Sequence, residues 1–444
     1  MARVRPFRGV LYNQEKIPDL KALVTPPHDV ISPKEQEEYY RVHPNNMIRL
    51  ILGKISPEDT EHNNRYTRAA QFFRSWLQEE ILTQDKNSAF YVTEMDFRMN
   101  GESRTRLGFV ALVGLERFEK GIIRPHEKTF SATNADRLKL ISASQANFSP
   151  IFSLFSDRDD EILGSLRAAI EPLQPDLDFE DLKGYGHRLW RVTDEKVHRE
   201  IEQKFADRPV YIADGHHRYG TALEYRDQIK SQQPALPPDD PCNFVMMYLT
   251  SMNDPGLALR PVHRVVCDVK QEAVEGFIHK ARAYCHVETL DIGPLDREEI
   301  EKAYLEKIMT DTNSTVIGAA LRDDNGFHVL RVREGVMDRI IGQEIPKPLR
   351  KLDVTMVTKL VLEEILGLNG STMDDEASIL YLSTVEEALD AVHKRKCPIA
   401  LILNPTRLNE VKEVSDAGLI MPRKSTYFYP KVMDGLVINK IWDG

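Results

Sequence analysis

Apolar and polar positions divide the chain into short strands and amphipathic helices. Residues 90–99 alternate between the two classes, the turn pair Asn100 and Gly101 follows, and residues 104–115 return with apolar side chains, which predicts a β-hairpin. Residues 61–82 repeat apolar side chains at helical spacing and predict a helix. Helices and strands do not alternate strictly along the chain, so the predicted class is α+β with mixed sheets.

The same reading extends over the rest of the chain. Further strands are predicted at residues 4–11, 46–52, 149–155, 208–213, 315–320, 327–332, 378–381 and 399–403. Further helices are predicted at residues 33–40, 134–143, 195–205, 219–229, 271–284, 297–309, 354–366 and 385–394. A proline-rich loop at residues 231–241 predicts two domains, 1–256 and 257–444, each of the α+β class.

Composition narrows the classes of protein to consider. The 444 residues carry a net charge of −10, which argues against nucleic acid as a partner. No apolar run is long enough to span a bilayer and the first residues lack a signal-peptide pattern, so no membrane association and a cytoplasmic location are expected. The four cysteines have no metal-binding spacing, and we predict that they are buried reduced thiols. The oligomeric state is left open.

The strongest candidate for chemistry is the run from residue 214 to residue 218. Its members are Asp214, Gly215, His216, His217 and Arg218. They lie between an apolar strand and a helix, where backbone N–H groups and the positive end of the helix dipole favour an anion. The arginine adds a fork of donors that suits phosphate oxygens. The segment therefore predicts a phosphate site.

Three roles are candidates for Asp214, the first residue of this run. Asp214 is a candidate to hold a metal ion, to accept a proton from a hydroxyl, or to cap the helix. Adjacent histidines on a helix point about 100° apart, so a zinc site shared by His216 and His217 is the weaker interpretation.

The strand–Asp-Gly-His-His-Arg–helix arrangement resembles the signature of the ParB/sulfiredoxin superfamily. It is most similar to the branch of free-serine kinases, in which this run contacts nucleotide phosphates. The resemblance implies a nucleotide-binding core around residues 214–218. His216 stands where sulfiredoxins carry cysteine, so sulfinic-acid reductase chemistry is not expected.

A second resemblance covers most of the chain. Six separated blocks, at residues 25–32, 45–50, 125–129, 136–138, 213–219 and 421–431, are similar in this order to the DUF1015 family. The family implies no activity, but it indicates which loops to consider.

Two of those loops add ionisable side chains. Glu127 is a candidate general base towards an alcohol, and His126 is a candidate second donor beside it. A polar loop without function is the alternative for both. Asp29 follows two prolines that stiffen its loop, and an ordinary turn-forming carboxylate is an equal alternative there.

The segment near the C-terminus carries the densest group of cations and hydroxyls. Its candidate phosphate or nucleotide contacts are Arg423, Lys424, Ser425, Thr426 and Lys431. Solvated surface charge is the alternative interpretation.

Together these features predict a phosphotransferase that uses ATP or ADP with magnesium and a small hydroxyl-bearing metabolite such as serine, or phosphoserine in reverse. Asp214, Glu127 and His216 would be catalytic, Asp214 would also hold the metal, and the remaining candidates would bind phosphate. The alternatives are a metal-dependent phosphohydrolase and a non-catalytic nucleotide-sensing module.

Overall fold

The computed structural model describes residues 2–99, 101–129, 131–291, 297–309, 315–324, 326–342, 344–375, 377–394 and 396–442. The chain forms two compact units, one of Met1–Ala258 with Pro430–Gly444 and one of Leu259–Tyr429. The sequence placed the division after residue 256 and gave all of 257–444 to the second domain. The structure instead returns the last segment to the first unit.

The strands are short except in one hairpin. They are β1 Val4–Arg5, β2 Val10–Tyr12, β3 Leu82–Gln84, β4 Phe90–Met99, β5 Glu102–Gly114, β6 Ile123–Arg124, β7 Ala146–Asn147, β8 Ile151–Phe155, β9 Leu177–Glu180, β10 Gly186–Val192, β11 Val210–Asp214, β12 Phe244–Ser251, β13 Ala258–Arg260, β14 His263–Val266, β15 Cys285–Asp291, β16 Val316–Leu321, β17 Gly326–Val332, β18 Ile379–Leu382, β19 Ile399–Ile402, β20 Tyr427–Tyr429 and β21 Asn439–Lys440.

The α-helices are α1 Pro33–Val42, α2 Ile48–Ile51, α3 Arg65–Gln78, α4 Ser131–Ser144, α5 Glu161–Ile170, α6 Glu195–Phe205, α7 His216–Gln232, α8 Gln271–Glu275, α9 Phe277–Ala281, α10 Arg297–Met309, α11 Val336–Ile341, α12 Lys347–Arg350, α13 Asp353–Met356, α14 Gly370–Asp374, α15 Val385–His393 and α16 Leu408–Asp416. A π-helical segment, Val357–Ile365, follows α13. Short 3₁₀ helices span Leu20–Ala22, His28–Val30, Phe118–Lys120 and Pro241–Asn243.

A mixed sheet of nine strands forms the centre of the first unit. Eight strands lie in the order β6-β11-β8-β12-β5-β4-β10-β9, and β1 also pairs with β5. β11 is parallel to β6 and antiparallel to β8, while β12 is parallel to β8. The predicted hairpin is β4 paired with β5, although Asn100 of its turn lies outside the described residues. The strand that ends at Asp214 therefore lies between two others, β6 and β8.

Helices α5 and α6 cover part of this sheet with apolar side chains. Leu166 of α5 and Phe205 of α6 are fully buried in the main core cluster, and the Phe205 ring packs edge-on against Phe155 of β8 at 4.9 Å. Tyr219 of α7 belongs to the same cluster and is fully buried. The helix that begins at the candidate site is thereby held against the sheet, because burial of such rings is strongly favourable.

The second unit has a sheet of its own. Its strands lie in the order β15-β17-β16-β19-β14-β18, and each neighbouring pair is antiparallel. Tyr304 and Ile308 of α10 and Leu389 of α15 pack in its apolar core. Both units thus combine helices with sheets, as the sequence predicted.

Local predictions fail where a side chain or a glycine overrides the apolar pattern. Residues 46–52 were predicted as a strand, but they contain α2, because the Asn46 side chain accepts a hydrogen bond from Ile48 N at 2.9 Å and starts a helical turn. The helix predicted at 271–284 is divided at Gly276 into α8 and α9.

The prediction that all four cysteines are reduced is also wrong. Cys267 and Cys397 form a disulfide across a sequence separation of 130 residues. They flank β14 and β19, which pair antiparallel with Val266 opposite Ile399, so the sheet brings them together. Cys242 and Cys285 are free and buried, as predicted. Among the described residues, every helix is too short or too polar to cross a bilayer.

Candidate functional site

The candidate site begins where β11 meets α7, and the turn between them is a single residue. Gly215 has a φ of 94°, in the left-handed region that favours glycine. A Cβ at this position would lie 2.8 Å from Nε of Arg218. His216, His217 and Arg218 are therefore the first residues of the helix, whereas the sequence predicted that the helix begins at residue 219.

The start of α7 carries no side-chain cap. The N-cap residue is Gly215, which has no side-chain oxygen to accept from the first N–H groups of the helix. This helix is 17 residues long, and its N-terminal end is electropositive. The N–H groups at such an end are suited to the oxygens of an anion.

Asp214 is held between two cations. Its Oδ2 accepts a hydrogen bond from Nη2 of Arg218 at 2.7 Å, and its Oδ1 accepts one from Nζ of Lys431 at 2.9 Å. Burial raises the pKa of Asp214, but the charges of Lys431 and Arg218 outweigh it and hold that pKa well below its usual range. The side chain is therefore a carboxylate at neutral pH.

This arrangement does not fit the metal role that we predicted for Asp214. Both of its oxygens already accept hydrogen bonds from cations, which would repel a divalent ion. Among the residues that the structure describes, no group of three or more histidine, cysteine, aspartate or glutamate side chains is placed to hold a metal ion. The arrangement gives Asp214 a different task, which is to fix the two cations beside the helix start.

His216 is paired with the loop that carries His126 and Glu127. The backbone N–H of His126 donates to Nε2 of His216 at 3.2 Å, and the two imidazole rings meet edge-on with centroids 4.7 Å apart. Nε2 accepts, so the ring proton lies on Nδ1, which is 3.9 Å from Oε2 of Glu127. That separation is longer than a hydrogen bond.

Burial keeps both rings neutral. It lowers the pKa of His126 to about 4, and it also lowers the pKa of His216 well below the usual value, with a further contribution from the charge of a protonated His126. Because its Nε2 is already bonded to a backbone N–H, His216 as arranged positions the loop. It does not offer that nitrogen to a substrate.

His217 lies on another side of the same helical turn. Its Nδ1 is 3.0 Å from Oδ1 of Asn134 in α4. The two helices approach closely here, since a Cβ at Gly220 would lie 3.2 Å from Nδ2 of Asn134. Sequence reasoning missed Asn134, which falls in a predicted helix with no motif of its own.

A second polar group lies around the loop of residues 25–29. Asp29 itself is exposed, whereas its neighbour His28 lines a cavity of about 60 Å³ together with Arg137, Ser149 and Arg218. Sequence analysis noted residues 136–138 only as part of a family block and did not include Asp434 among the candidate site residues. In the structure, Arg137 lines the cavity, and Asp434 accepts a hydrogen bond from Ser149, which also lines it.

The C-terminal basic segment is divided between the two units. Lys431 belongs to the first unit and reaches Asp214, whereas Arg423, Lys424, Ser425 and Thr426 belong to the second. In the second unit, the Arg264 guanidinium donates to the carbonyls of Arg423 and Lys424 at 3.3 and 3.0 Å.

Ser425 is only 2% exposed, and its Oγ donates to the carbonyl of Pro422 at 2.5 Å. These contacts order the segment within its own unit. Of the predicted site residues, the structure therefore brings together Asp214, Arg218 and Lys431 in one group, and His126, Glu127 and His216 in an adjoining one.

Comparisons with known proteins give a family and several structural likenesses. A model of the family described as "Protein of unknown function (DUF1015)" matches residues 4–355. No curated protein matches the chain.

Among solved structures, a conserved hypothetical protein from Pyrococcus furiosus is 12% identical, with a TM-score of 0.32, over 73% of this chain and 93% of that one. A free serine kinase in complex with AMP is 12% identical, with a TM-score of 0.33, over 72% of this chain and 86% of that one.

SbnI with a C-terminal truncation, from Staphylococcus aureus, is 10% identical, with a TM-score of 0.35, over 73% of this chain and 85% of that one. At these TM-scores the likenesses carry no argument about the chemistry. The family match does support a conclusion, because the family model spans more than half of the chain. The chain belongs to the DUF1015 family.

Proposed function

We propose that the first unit is a phosphotransferase, which moves phosphate between a nucleotide, ATP or ADP, and a small hydroxyl-bearing metabolite such as serine, or from phosphoserine in reverse. Its nucleotide-binding part would be a ParB/sulfiredoxin-like core around residues 214–218. The observation that carries the proposal is the start of α7, which has glycine as its N-cap, beside two cations, Arg218 and Lys431. Together they supply N–H donors and positive charge at one place.

Charge balance supports an anionic ligand at this place. Arg218 and Lys431 bring two positive charges and Asp214 brings one negative charge, so the group is left with a net charge of about +1 before the helix end is counted. The three side chains are 10–17% exposed, which weakens screening by water. Phosphoryl transfer depends chiefly on positioning and on charge neutralisation, and both are available here.

In this proposal, Asp214 and His216 have positioning roles and not the catalytic roles that the sequence predicted for them. Asp214 holds Arg218 and Lys431 in place, and His216 holds the loop of residues 126–127. Glu127 lies 3.9 Å from Nδ1 of His216 and remains the predicted base for the hydroxyl. The phosphate contacts predicted for Gly215 and His217 would come from the first turn of α7, and those predicted for residues 423–426 stay separate proposals.

The first experiment is nucleotide binding by isothermal titration calorimetry. We expect ATP or ADP to bind with and without magnesium, because the cations of the site belong to the protein. Lys431→Met should weaken binding at least 10-fold, and Arg199→Met, at an exposed position of α6, should leave it unchanged. If no nucleotide binds the wild-type protein, the proposal is wrong.

The second experiment measures transfer itself. Formation of phosphoserine from L-serine and ATP or ADP is followed by ³¹P NMR, together with the reverse reaction from O-phospho-L-serine. A phosphohydrolase would instead release inorganic phosphate without a nucleotide, and would require a metal ion.

A non-catalytic nucleotide-sensing module is the second candidate function. It is favoured by the engagement of both Asp214 oxygens and of Nε2 of His216, which leaves neither group arranged as a base. Such a module would bind nucleotide in the calorimeter and show no turnover in either direction.

A further inference from the structure

A cleft of the first unit lies beside the C-terminal half of α7. Its volume is about 510 Å³, and ligand-binding clefts commonly have volumes of about 300–1,000 Å³. The start of the chain, the segment after β5, α7 and the proline-rich loop before β12 all contribute to its lining. The function proposed above uses none of the residues that line it, and we call it the basic cleft.

Positive charge dominates the lining of the basic cleft. The cations that line it are Arg3, Arg117, Lys120, Arg226 and Lys230. The carboxylate that lines it is Glu116. The chain as a whole has a net charge of −10, so this surface departs from the overall composition. Cations that line a concave surface concentrate positive potential there, which attracts anions.

Exposed carboxylates pair with part of this charge. Nζ of Lys120 donates to Oε2 of Glu116 at 2.6 Å. Nη1 of Arg3 lies 3.6 Å from Oδ1 of Asp239. The side chains of Lys120, Arg3 and Asp239 are 61%, 43% and 85% exposed, so water screens both pairs and each is weak. An anion of higher charge can therefore compete for both cations.

A third carboxylate, Asp227, is shared between two arginines. Its Oδ2 accepts a hydrogen bond from Nη2 of Arg117 at 2.7 Å, and its Oδ1 accepts one from Nη2 of Arg226 at 3.3 Å. In the part of the chain that the structure describes, Lys230 forms no ion pair. The five cations thus share three carboxylates, and two positive charges are left without a paired anion.

Two buried side chains fix the walls of the cleft. Arg226 is 8% exposed, and its Nη1 donates to the carbonyl of Leu115 at 2.7 Å. Asn243 is 4% exposed, and its Nδ2 donates to the carbonyls of Pro237 and Pro238 at 3.0 and 3.3 Å. These contacts hold the segment after β5 to α7 and the proline-rich loop to the start of β12. The cleft is therefore formed before a ligand arrives, which reduces the entropy cost of binding.

The basic cleft is distant from the anion site at the start of α7. Arg226 and Lys230 follow His216 by 10 and 14 residues in this helix. A helix rises about 1.5 Å per residue, so these two cations lie about 15–21 Å from the first residue of α7. A compact anion in the cleft therefore cannot also contact Arg218. The negative end of the helix dipole is on this side, so attraction for an anion has to come from the side chains.

We propose that the basic cleft is a second anion site of the first unit, and that it binds a small molecule carrying a diphosphate group. The guanidinium groups of Arg3 and Arg117 present forks of donors that match phosphate oxygens. The ammonium groups of Lys120 and Lys230 add positive charge at the same surface. Leu236 provides an apolar contact for the uncharged part of the ligand. This inference goes beyond the proposed phosphotransfer and does not depend on it.

Lysine footprinting with inorganic pyrophosphate tests where the anion binds. The wild-type protein is acetylated with and without pyrophosphate, and mass spectrometry gives the rate at each lysine. At about ten times its Kd, pyrophosphate should slow acetylation of Lys230 and Lys120 about 10-fold, because only unoccupied protein reacts. Lys34, whose side chain is 89% exposed, should react at the same rate in both samples. Sodium chloride at equal ionic strength controls for screening.

Calorimetry with matched variants measures the affinity of the cleft. Pyrophosphate is titrated into protein that carries Lys431→Met, which removes a cation from the site at the start of α7. Adding Lys230→Met and Arg117→Met should weaken binding at least about 10-fold, because two cations are lost. Adding Arg199→Met instead, at an exposed position that does not line the cleft, should leave the affinity unchanged. Citrate should bind more weakly than pyrophosphate, since the guanidinium forks are matched to phosphate. Thermal unfolding checks that each variant keeps its fold.

Failure of this inference is distinct from failure of the proposed function. If pyrophosphate protects Lys431 and not Lys230 or Lys120, the anion binds only at the start of α7 and the second site is refuted. Equal affinity with and without the Lys230→Met and Arg117→Met changes refutes it too, as does the absence of pyrophosphate binding. Citrate that binds as tightly as pyrophosphate contradicts the diphosphate class. Protection of Lys230 in a protein that binds no nucleotide at Lys431 would instead overturn the phosphotransfer and support the second site.

Discussion

Replacing Asp214 by Asn tests whether this carboxylate holds the two cations in place. The change keeps the size of the side chain and removes the charge that pairs with Arg218 and Lys431. Their side chains are 12% and 10% exposed, so the network behaves as a buried one. Removing one partner of a buried ion pair costs about 3–5 kcal/mol, against about 0–1 kcal/mol for a surface pair. We take about 3 kcal/mol as the expected loss.

Urea unfolding followed by tryptophan fluorescence measures this loss. All three tryptophans, Trp76, Trp190 and Trp442, belong to the first unit, so their emission reports on the unit that contains Asp214. With an m-value of about 3 kcal/mol/M, the midpoint should fall by about 1 M urea. The matched control is Asp160→Asn, which breaks an ion pair with Arg167 whose side chains are 53% and 51% exposed, and it should change the midpoint very little.

The pH dependence has a definite sign. The folded pKa of Asp214 is depressed, so its contribution to stability is present above the unfolded value of about 3.9 and is lost as pH falls towards the folded pKa. The gap between wild type and Asp214→Asn should therefore be constant from about pH 5 to 8 and should shrink below about pH 4. Equal midpoints at pH 7 would refute the reasoning, as would a double variant, Asp214→Asn with Lys431→Met, that loses as much as both single changes summed.

Three further predictions concern single positions. Gly215→Ala should destabilise the first unit by more than about 1 kcal/mol, because the position has a positive φ and the new Cβ would contact Arg218. Gly121 has a positive φ but open space around it, so Gly121→Ala should lower the free energy of unfolding by less in the same urea titration. Asp434→Asn should be more stable than wild type at pH 8 and nearly equal to it at pH 4. The reason is that the raised pKa of Asp434 in the folded protein makes the wild type lose stability as pH rises from about 4 to 7. A difference in stability that does not change with pH would contradict this raised pKa. The wild type should lose stability as pH falls from about 6.5 to 4, because His126 binds a proton in the unfolded chain but has a pKa of about 4 in the folded protein. His126→Phe should reduce this loss. Thermal unfolding at several pH values in that range measures the difference.

Much of the local structure around the site could be predicted from the sequence. The apolar run before Asp214 and the periodic run after Arg218 predict a strand, a turn and a helix, because those patterns act over a few residues. The helix predicted from residue 33 also begins there, and Ser32 caps it, since its Oγ accepts from Glu35 N at 3.2 Å.

Long-range pairings could not be predicted in the same way. Lys431 reaches Asp214 across 217 residues, and only the folding of the last segment back to the first unit brings them together. The orientation of His216 towards Glu127 depends on a backbone N–H of a distant loop, which leaves no pattern in the sequence. Asp434 was not among the predicted site residues, because its contacts with Thr25 and Ser149 join segments that are far apart in the chain.

The return of residues 430–444 to the first unit has a consequence for the order in which the protein can mature. Lys431 and Asp434 follow the second unit in the chain, so they are synthesised after all nine strands of the first sheet and after the whole second unit. The first unit must therefore bring together segments that are separated by about 170 residues, and contacts over such a distance in the chain form slowly. A chain that is interrupted within the second unit lacks Lys431, so only Arg218 of the two cations would be present beside Asp214 at the start of α7. The second positive charge of the anion site is therefore the last part of it to be synthesised.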